Sequence, residues 1–149
     1  MIRITKESDY AIMILALMAE RDAGMIHSAR EVSEWCGLTV PMASKILRCL
    51  AREKVLTSHR GANGGYSFER SAEQTSVAEI IRAIEGPISM VQCGADPGVC
   101  EQEQVCPTRV NWARINREIE HALERVPISE MYSRPAGPDL LAMHDGCSS

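Results

Sequence analysis

Ser28-Ala-Arg-Glu-Val-Ser-Glu-Trp-Cys-Gly-Leu-Thr-Val-Pro-Met-Ala-Ser-Lys45 reads as two short helices and the turn between them. Ser28 and Glu31 have the spacing of a capping box, in which each side chain satisfies a free amide at the helix start. Gly37 is placed to end that helix in the left-handed conformation, which costs a residue without a Cβ nothing. Thr39 then caps a second helix, and Pro41 falls in its first turn, where a missing N–H is no loss. The first helix carries Val32 and Trp35 inward. The second runs to about Lys54, with Met42, Ile46, Leu47 and Leu50 on one face. Two helices joined by a tight glycine-containing turn make a helix-turn-helix.

The outward face of the second helix holds Ser44, Lys45, Arg48 and Arg52. A helix lying in the major groove needs cations placed in this way, near phosphates. The plainer alternative is the solvated face of an ordinary helical hairpin. Downstream, Val55-Leu-Thr-Ser-His-Arg60 and Gly65-Tyr-Ser-Phe68 read as two strands around Gly61-Ala-Asn-Gly-Gly65. The glycines permit a tight hairpin that can approach a backbone closely. Arg60 sits at its tip, suited to a phosphate or the minor groove. A hairpin directly after a helix-turn-helix is a wing. The same glycines form neither GxGxxG nor a P-loop, so a nucleotide-binding loop is not indicated.

Ahead of this unit, a helix from about Lys6 to Arg21 is apolar around most of its circumference, the mark of a buried helix. Behind it, Thr75-Ser-Val-Ala-Glu79 starts a helix that ends at Gly86-Pro87. A final helix from Pro107 to about Val126 sets Trp112, Ile115, Ile119, Ala122 and Val126 at intervals of three and four. Such a stripe on a long helix calls for a partner helix, which a symmetric dimer supplies; packing back onto its own domain is the alternative. The expected fold is mainly α, a winged helix-turn-helix with a two-stranded wing and a long C-terminal dimerisation helix. Residues 1–70 form the DNA-binding domain, 71–90 the connecting helix, 91–106 a cysteine loop and 107–126 the dimerisation helix. Residues 127–149, with His144 and Cys147, are expected to be a mobile tail.

Composition agrees with this outline. Apolar residues make up 45% of the 149 and aromatics only 4%, so the core must be aliphatic, which suits helices. The longest apolar run, Ala11 to Ala19, is too short to span a bilayer, and a soluble protein is expected. The formal charge is −4, but residues 1–70 carry ten Lys and Arg against eight Asp and Glu, a net of +2. Residues 71–149 carry six against twelve, a net of −6. The N-terminal half can therefore meet phosphates while the C-terminal half faces solvent or a partner.

Cys93, Cys100 and Cys106 crowd into one loop that contains Gly94, Pro97 and Gly98 and almost no large apolar side chains. Such a loop cannot bury itself, and thiolates gathered around soft metal supply a hold. Zinc sites favour cysteines two to four residues apart, and no such pair occurs. With no signal peptide, a reducing cytoplasm is expected, which disfavours disulfides. Free thiols are the remaining alternative. Cys36 and Cys49, within the two helix-turn-helix helices, read as small apolar residues. His27, His59 and His121 have no metal-like spacing.

Several motifs in order carry a resemblance over Met1 to about Met131. They are Ile4-Thr-Lys-Glu-Ser-Asp-Tyr-Ala11, Gly37-Leu-Thr39, Arg60-Gly-Ala-Asn-Gly-Gly-Tyr66, Val77-Ala-Glu-Ile-Ile-Arg-Ala-Ile-Glu-Gly-Pro87 and the three-cysteine loop. The chain resembles the winged-helix iron–sulfur cluster regulators of the IscR/NsrR type. The wing and Val110-Asn-Trp-Ala-Arg-Ile-Asn116 are most similar to the branch that regulates SUF-type cluster assembly. The resemblance implies a homodimer on a palindromic double-stranded operator. Pro41, Ser44 and Lys45 would face bases or backbone, joined by Arg48 from the same helix face, with Arg60 as the wing contact.

By the same resemblance Cys93, Cys100 and Cys106 hold the cluster. The isc branch has a histidine where this chain has Arg109, and an arginine cannot ligate iron. Asp9 matches the aspartate that the nitric-oxide-responsive branch uses across its dimer, with Glu7 nearby. As a plain carboxylate, Asp9 also suits a helix N-terminus. A [4Fe–4S] cluster is preferred over [2Fe–2S]. The expected function is a cytoplasmic, dimeric transcriptional regulator, a repressor of SUF-type assembly genes, sensing cluster, iron or oxidant status. The alternative is a regulator of the same fold without a cluster, sensing through thiols or a protein partner. No nucleophile–base pairing or cofactor motif points to an enzyme.

Overall fold

The computed structural model describes residues 4–22, 24–91, 94 and 98–133. Helix α1 spans Lys6–Asp22. Helices α2 (Ala29–Cys36) and α3 (Val40–Arg52) follow, then strands β1 (Leu56–His59) and β2 (Gly65–Phe68). Helix α4 is Val77–Glu85, α5 is Arg109–Glu124, and a 3-10 turn covers Ile128–Glu130. The helix-turn-helix forms as its caps predict. Ser28 and Glu31 make both capping-box hydrogen bonds, Gly37 takes φ 63°, and the Thr39 side chain accepts from the Met42 amide. Helix α3 stops two residues short of Lys54, which itself takes φ 60°, a conformation more usual for glycine.

The wing pairs β1 and β2 antiparallel, with Leu56 opposite Phe68 and His59 opposite Gly65. It is also anchored from outside, because His27 and Tyr66 exchange backbone hydrogen bonds of 2.9 and 2.8 Å. The backbone that the wing glycines approach is the chain's own. A Cβ at Gly65 would stand 2.4 Å from the His27 carbonyl oxygen, and one at Gly64 2.5 Å from that of His59. These two positions need glycine for folding, before any question of ligand.

Helix α1 runs through the centre and packs on α2, α3, α4 and the 3-10 turn. Ile14, Leu15, Met18, Leu47, Leu50 and Ile80 are fully buried, an aliphatic core as composition predicts. Glu85, at the end of α4, reaches the start of α1. Its carboxylate accepts from the Thr5 amide and hydroxyl at 2.9 Å each and from the Ser8 hydroxyl at 2.5 Å. Burial opposes ionisation, but these donors hold its carboxyl below the usual range.

The C-terminal segment begins inside the fold. Ile128 is fully buried in the core, and backbone bonds Val77 N–H to Val126 O and Ile128 N–H to Thr75 O stitch it beside α4. One isoleucine after a proline carries no periodicity, so the sequence pattern could not show this. Residues 134–149 of the expected tail, with His144 and Cys147, lie outside the described residues.

Candidate nucleic-acid face and cysteine loop

Helix α3 buries Ala43, Ile46, Leu47 and Leu50, and this turns the intervening positions outward. Pro41, Lys45 and Arg48 are exposed and Ser44 is half-buried. Arg48 donates from Nε to the Ser44 carbonyl at 3.1 Å, which holds the guanidinium along the helix. Lys45 is engaged: its Nζ lies 2.6 Å from Glu7 Oε1 in the first turn of α1, with side chains 60% and 42% exposed. An exposed pair of this kind is worth at most about 1 kcal/mol and exchanges readily for phosphate. Arg60 is exposed just beyond β1, where the hairpin turns. Arg52, also outward, pairs with Glu53 at 3.1 Å.

Asp9 is exposed in the first turn of α1, and its side chain makes no hydrogen bond or ion pair among the described residues. That position is favourable for a carboxylate by the helix dipole alone. The capping role falls to Thr5, whose hydroxyl accepts from the Ser8 amide at 3.3 Å.

Of the three loop cysteines, Cys93 lies outside the described residues; Cys100 and Cys106 are half-buried free thiols. Cys106 stands just before α5. The Thr108 hydroxyl, 3.3 Å from its sulfur, lowers its pKa most; the Thr108 and Arg109 amides and the Arg109 charge add to this against a small burial effect. A thiol stabilised as thiolate is the kind of donor that sulfur-ligated iron takes, and Cys100 and Cys106 are free to serve as such donors. Among the described residues, no three His, Cys, Asp or Glu side chains gather into a metal site.

Protein hydrogen bonds already organise much of this region. Glu103, buried between Cys100 and Cys106, accepts from the Gly98 amide and pairs with Arg109. Asn116, the one buried residue of α5, accepts from the Met90 amide at 2.9 Å and donates to Ser89 Oγ at 3.0 Å. A Cβ at Gly94 would meet both Ser89 and Asn116, so the loop crosses α5 closely there. Sequence reading missed Glu103, Asn116, Glu85 and the Glu7–Lys45 pair. Each is a long-range or irregular contact that leaves no mark in periodicity.

Helix α5 leans on α4 at its C-terminal end, where Arg82 pairs with Glu120 at 2.7 Å and with Glu124. An open cleft of about 580 Å³ between the two helices is lined by Arg82, Pro87, Asn116 and Arg117. Of the predicted stripe, Trp112, Ile119 and Val126 are half-buried, while Ile115 and Ala122 are exposed. Val110 is 78% exposed. Cys36 packs against the core, and burial pushes its thiol up to about 11 despite the Arg21 charge, as expected of an inert residue. Cys49 is half-buried and bonds the Ala83 carbonyl at 3.3 Å. Among the described residues, no helix is long and apolar enough to cross a membrane.

Residues 4–134 match the Rrf2 family, described as iron-dependent transcriptional regulators. The chain is 28% identical over 144 residues to the HTH-type transcriptional repressor NsrR of Streptomyces coelicolor, covering 96% of this chain and 97% of that one. It is 24% identical over 143 residues to the HTH-type transcriptional regulator IscR of Sodalis glossinidius, covering 96% and 86%. Among solved structures, CymR, the global cysteine regulator of B. subtilis, superposes with a TM-score of 0.67 at 23% identity, covering 89% of this chain and all of that one. That last similarity shows the winged-helix fold. With the family match spanning nearly the whole of a winged helix-turn-helix, the chain belongs to the Rrf2 family: it is a DNA-binding transcriptional regulator, not an enzyme, in a family whose members commonly dimerise.

Proposed function

We propose that this regulator is a cytoplasmic homodimer that binds an iron–sulfur cluster on Cys93, Cys100 and Cys106, with Asp9 of the second protomer completing the set. The observation that carries the reading is the placement of three cysteines in one loop leading into a helix that leaves Val110 and Ile115 exposed, in a family described as iron-dependent. Three thiolates without a histidine favour [4Fe–4S] over [2Fe–2S]. When bound, such a cluster supplies a redox- and nitric-oxide-reactive centre. The regulated genes are proposed to be those of SUF-type cluster assembly, under repression, as the wing and Val110–Asn116 resemblance suggests.

The chain's own contacts give the loop a route to the DNA face. Cys106 is followed almost directly by α5; Leu123 in its last turn and Val126 just beyond it pack on the core, and Arg82 ties it to α4. Glu85 then links α4 to the first turn of α1, from which Glu7 reaches Lys45 on α3. A change in how the loop is held shifts the population of arrangements in which Pro41, Ser44, Lys45, Arg48 and Arg60 meet an operator.

A second reading, sensing without a cluster through thiols or a protein partner, is favoured by one finding: residues 98–109 are tied together by protein contacts of their own through Glu103. The visible spectrum of anaerobically purified protein, with iron and sulfide counted per protomer, separates the two. Brown protein with matched iron and sulfide is expected, and Cys93→Ala should lose it. Protein still colourless after anaerobic reconstitution leaves the second reading.

A further inference from the structure

Glu103 is the one buried carboxylate among the described residues, with its side chain only 10% exposed. Its Oε2 accepts from the Gly98 amide at 2.5 Å, and its Oε1 lies 2.9 Å from an Arg109 nitrogen. Its own N–H donates to the Cys100 carbonyl at 3.0 Å. One residue therefore ties together the turn at Gly98, the backbone at Cys100 and the first residue of α5, which sits three positions after Cys106. Gly98 takes φ 89°, a conformation that L-residues rarely adopt, so the turn Glu103 grips is a specific one.

The partners also need each other. A buried carboxylate keeps its charge only where donors and a countercharge meet it. Arg109 occupies the first turn of α5, where the helix dipole disfavours a cation, and the first turn has no acidic residue of its own. Glu103 supplies the missing negative charge.

We propose that Glu103 is a positioning residue for Cys100 and Cys106, holding residues 98–109 as a preformed half-site in the cluster-free protein. This rests on reading the loop cysteines as cluster ligands. Cys100 is held through its carbonyl and Cys106 through the start of α5, so two thiols keep their places whether or not iron is bound.

The test uses metal-free full-length protein and the variants Glu103→Ala, Glu103→Gln and Arg109→Gln. Amide hydrogen exchange across residues 98–109 and residue-mapped alkylation rates at Cys100 and Cys106 report on the half-site. After reconstitution with ferrous iron and sulfide, the half-life of the visible absorption against a chelator and the electron paramagnetic resonance of the reduced cluster report on its use. Losing a hydrogen bond to a charged group should speed exchange and cluster loss about tenfold in the alanine variant. The glutamine variant, which keeps the shape and the Gly98 bond, should lie between, close to Arg109→Gln. The thermal midpoint of the winged helix should stay unchanged, and the resonance should shift. Unchanged exchange and alkylation in Glu103→Ala overturn the proposal, as does a cluster of unaltered lifetime and spectrum. Wild-type protein that takes up no cluster defeats the ligand reading instead, while exchange and alkylation still decide whether Glu103 holds the loop.

Discussion

Helices α3 and α5 are of similar length and both carry an apolar stripe, yet the chain treats them differently. Helix α3 spends its stripe inside the protomer: Ile46, Leu47 and Leu50 are essentially fully buried against α1, α4 and β1. Helix α5 buries only Asn116, a polar residue, and leaves Val110 and Ile115 exposed. One helix is completed by its own domain and can present a fixed polar face to DNA. The other rests on α4 along one side through Arg82 and leaves Val110 and Ile115 uncovered within the protomer. A reading element is best rigid, and a sensing element best poised.

The largest effect that could sharpen this contrast is on stability. Leu47→Ala should lower the unfolding free energy by about 2–5 kcal/mol at any protein concentration, because it opens a cavity in a closed core. Ile115, 39% exposed, should cost the protomer under about 1 kcal/mol on truncation. Ile115→Ala should instead weaken association, seen as a stronger concentration dependence of the urea midpoint. Equal losses at every concentration would break the comparison.

Operator binding comes next. Arg48→Ala should weaken binding about tenfold at low salt and reduce the salt slope by about 1, measured by fluorescence anisotropy across a salt series. Glu7→Gln should act in the opposite direction. It frees Lys45 and removes a carboxylate near the phosphates, tightening binding by less than about fivefold, the scale of an exposed ion pair. An unchanged Glu7→Gln variant would mean that the α1–α3 contact does not bear on DNA.

Thr39→Ala should cost about 1 kcal/mol by leaving the α3 start uncapped, read as a lower urea midpoint with the slope preserved. The smallest effect concerns acid. Glu85 has a folded pKa below the usual 4.5, so its contribution is full above 4.5 and fades as pH falls through the lower folded value. Glu85→Gln should therefore be less stable than wild type at neutral pH, with the gap closing below 4.5 in acid titrations of the thermal midpoint.

The caps at Ser28, Gly37 and Thr39 and the α3 face were legible in the sequence because they depend on residues three or four apart, within reach of one helical turn. The wing was legible because its glycines mark a tight turn between two short strands, although the strands pair residues as far apart as Leu56 and Phe68. The cysteine loop was visible as three thiols, but not as a structure. Glu103 looked like any loop acid, and its burial depends on Arg109 and Gly98 meeting it. Asn116 lies on a largely exposed helix, and its burial depends on Met90 and Ser89, distant in sequence.

By itself the sequence determined the local elements: where helices start and stop, which faces are apolar, and that three sulfurs share one loop. Those follow from backbone sterics, caps and periodicity, which act between near neighbours. Only the tertiary structure decided which glycines are indispensable, that Ile128 returns to the core, that Lys45 is held by Glu7, and that buried Glu103 joins Gly98 to Arg109. These rest on contacts between distant residues, whose free energy exists only once the chain has folded around them.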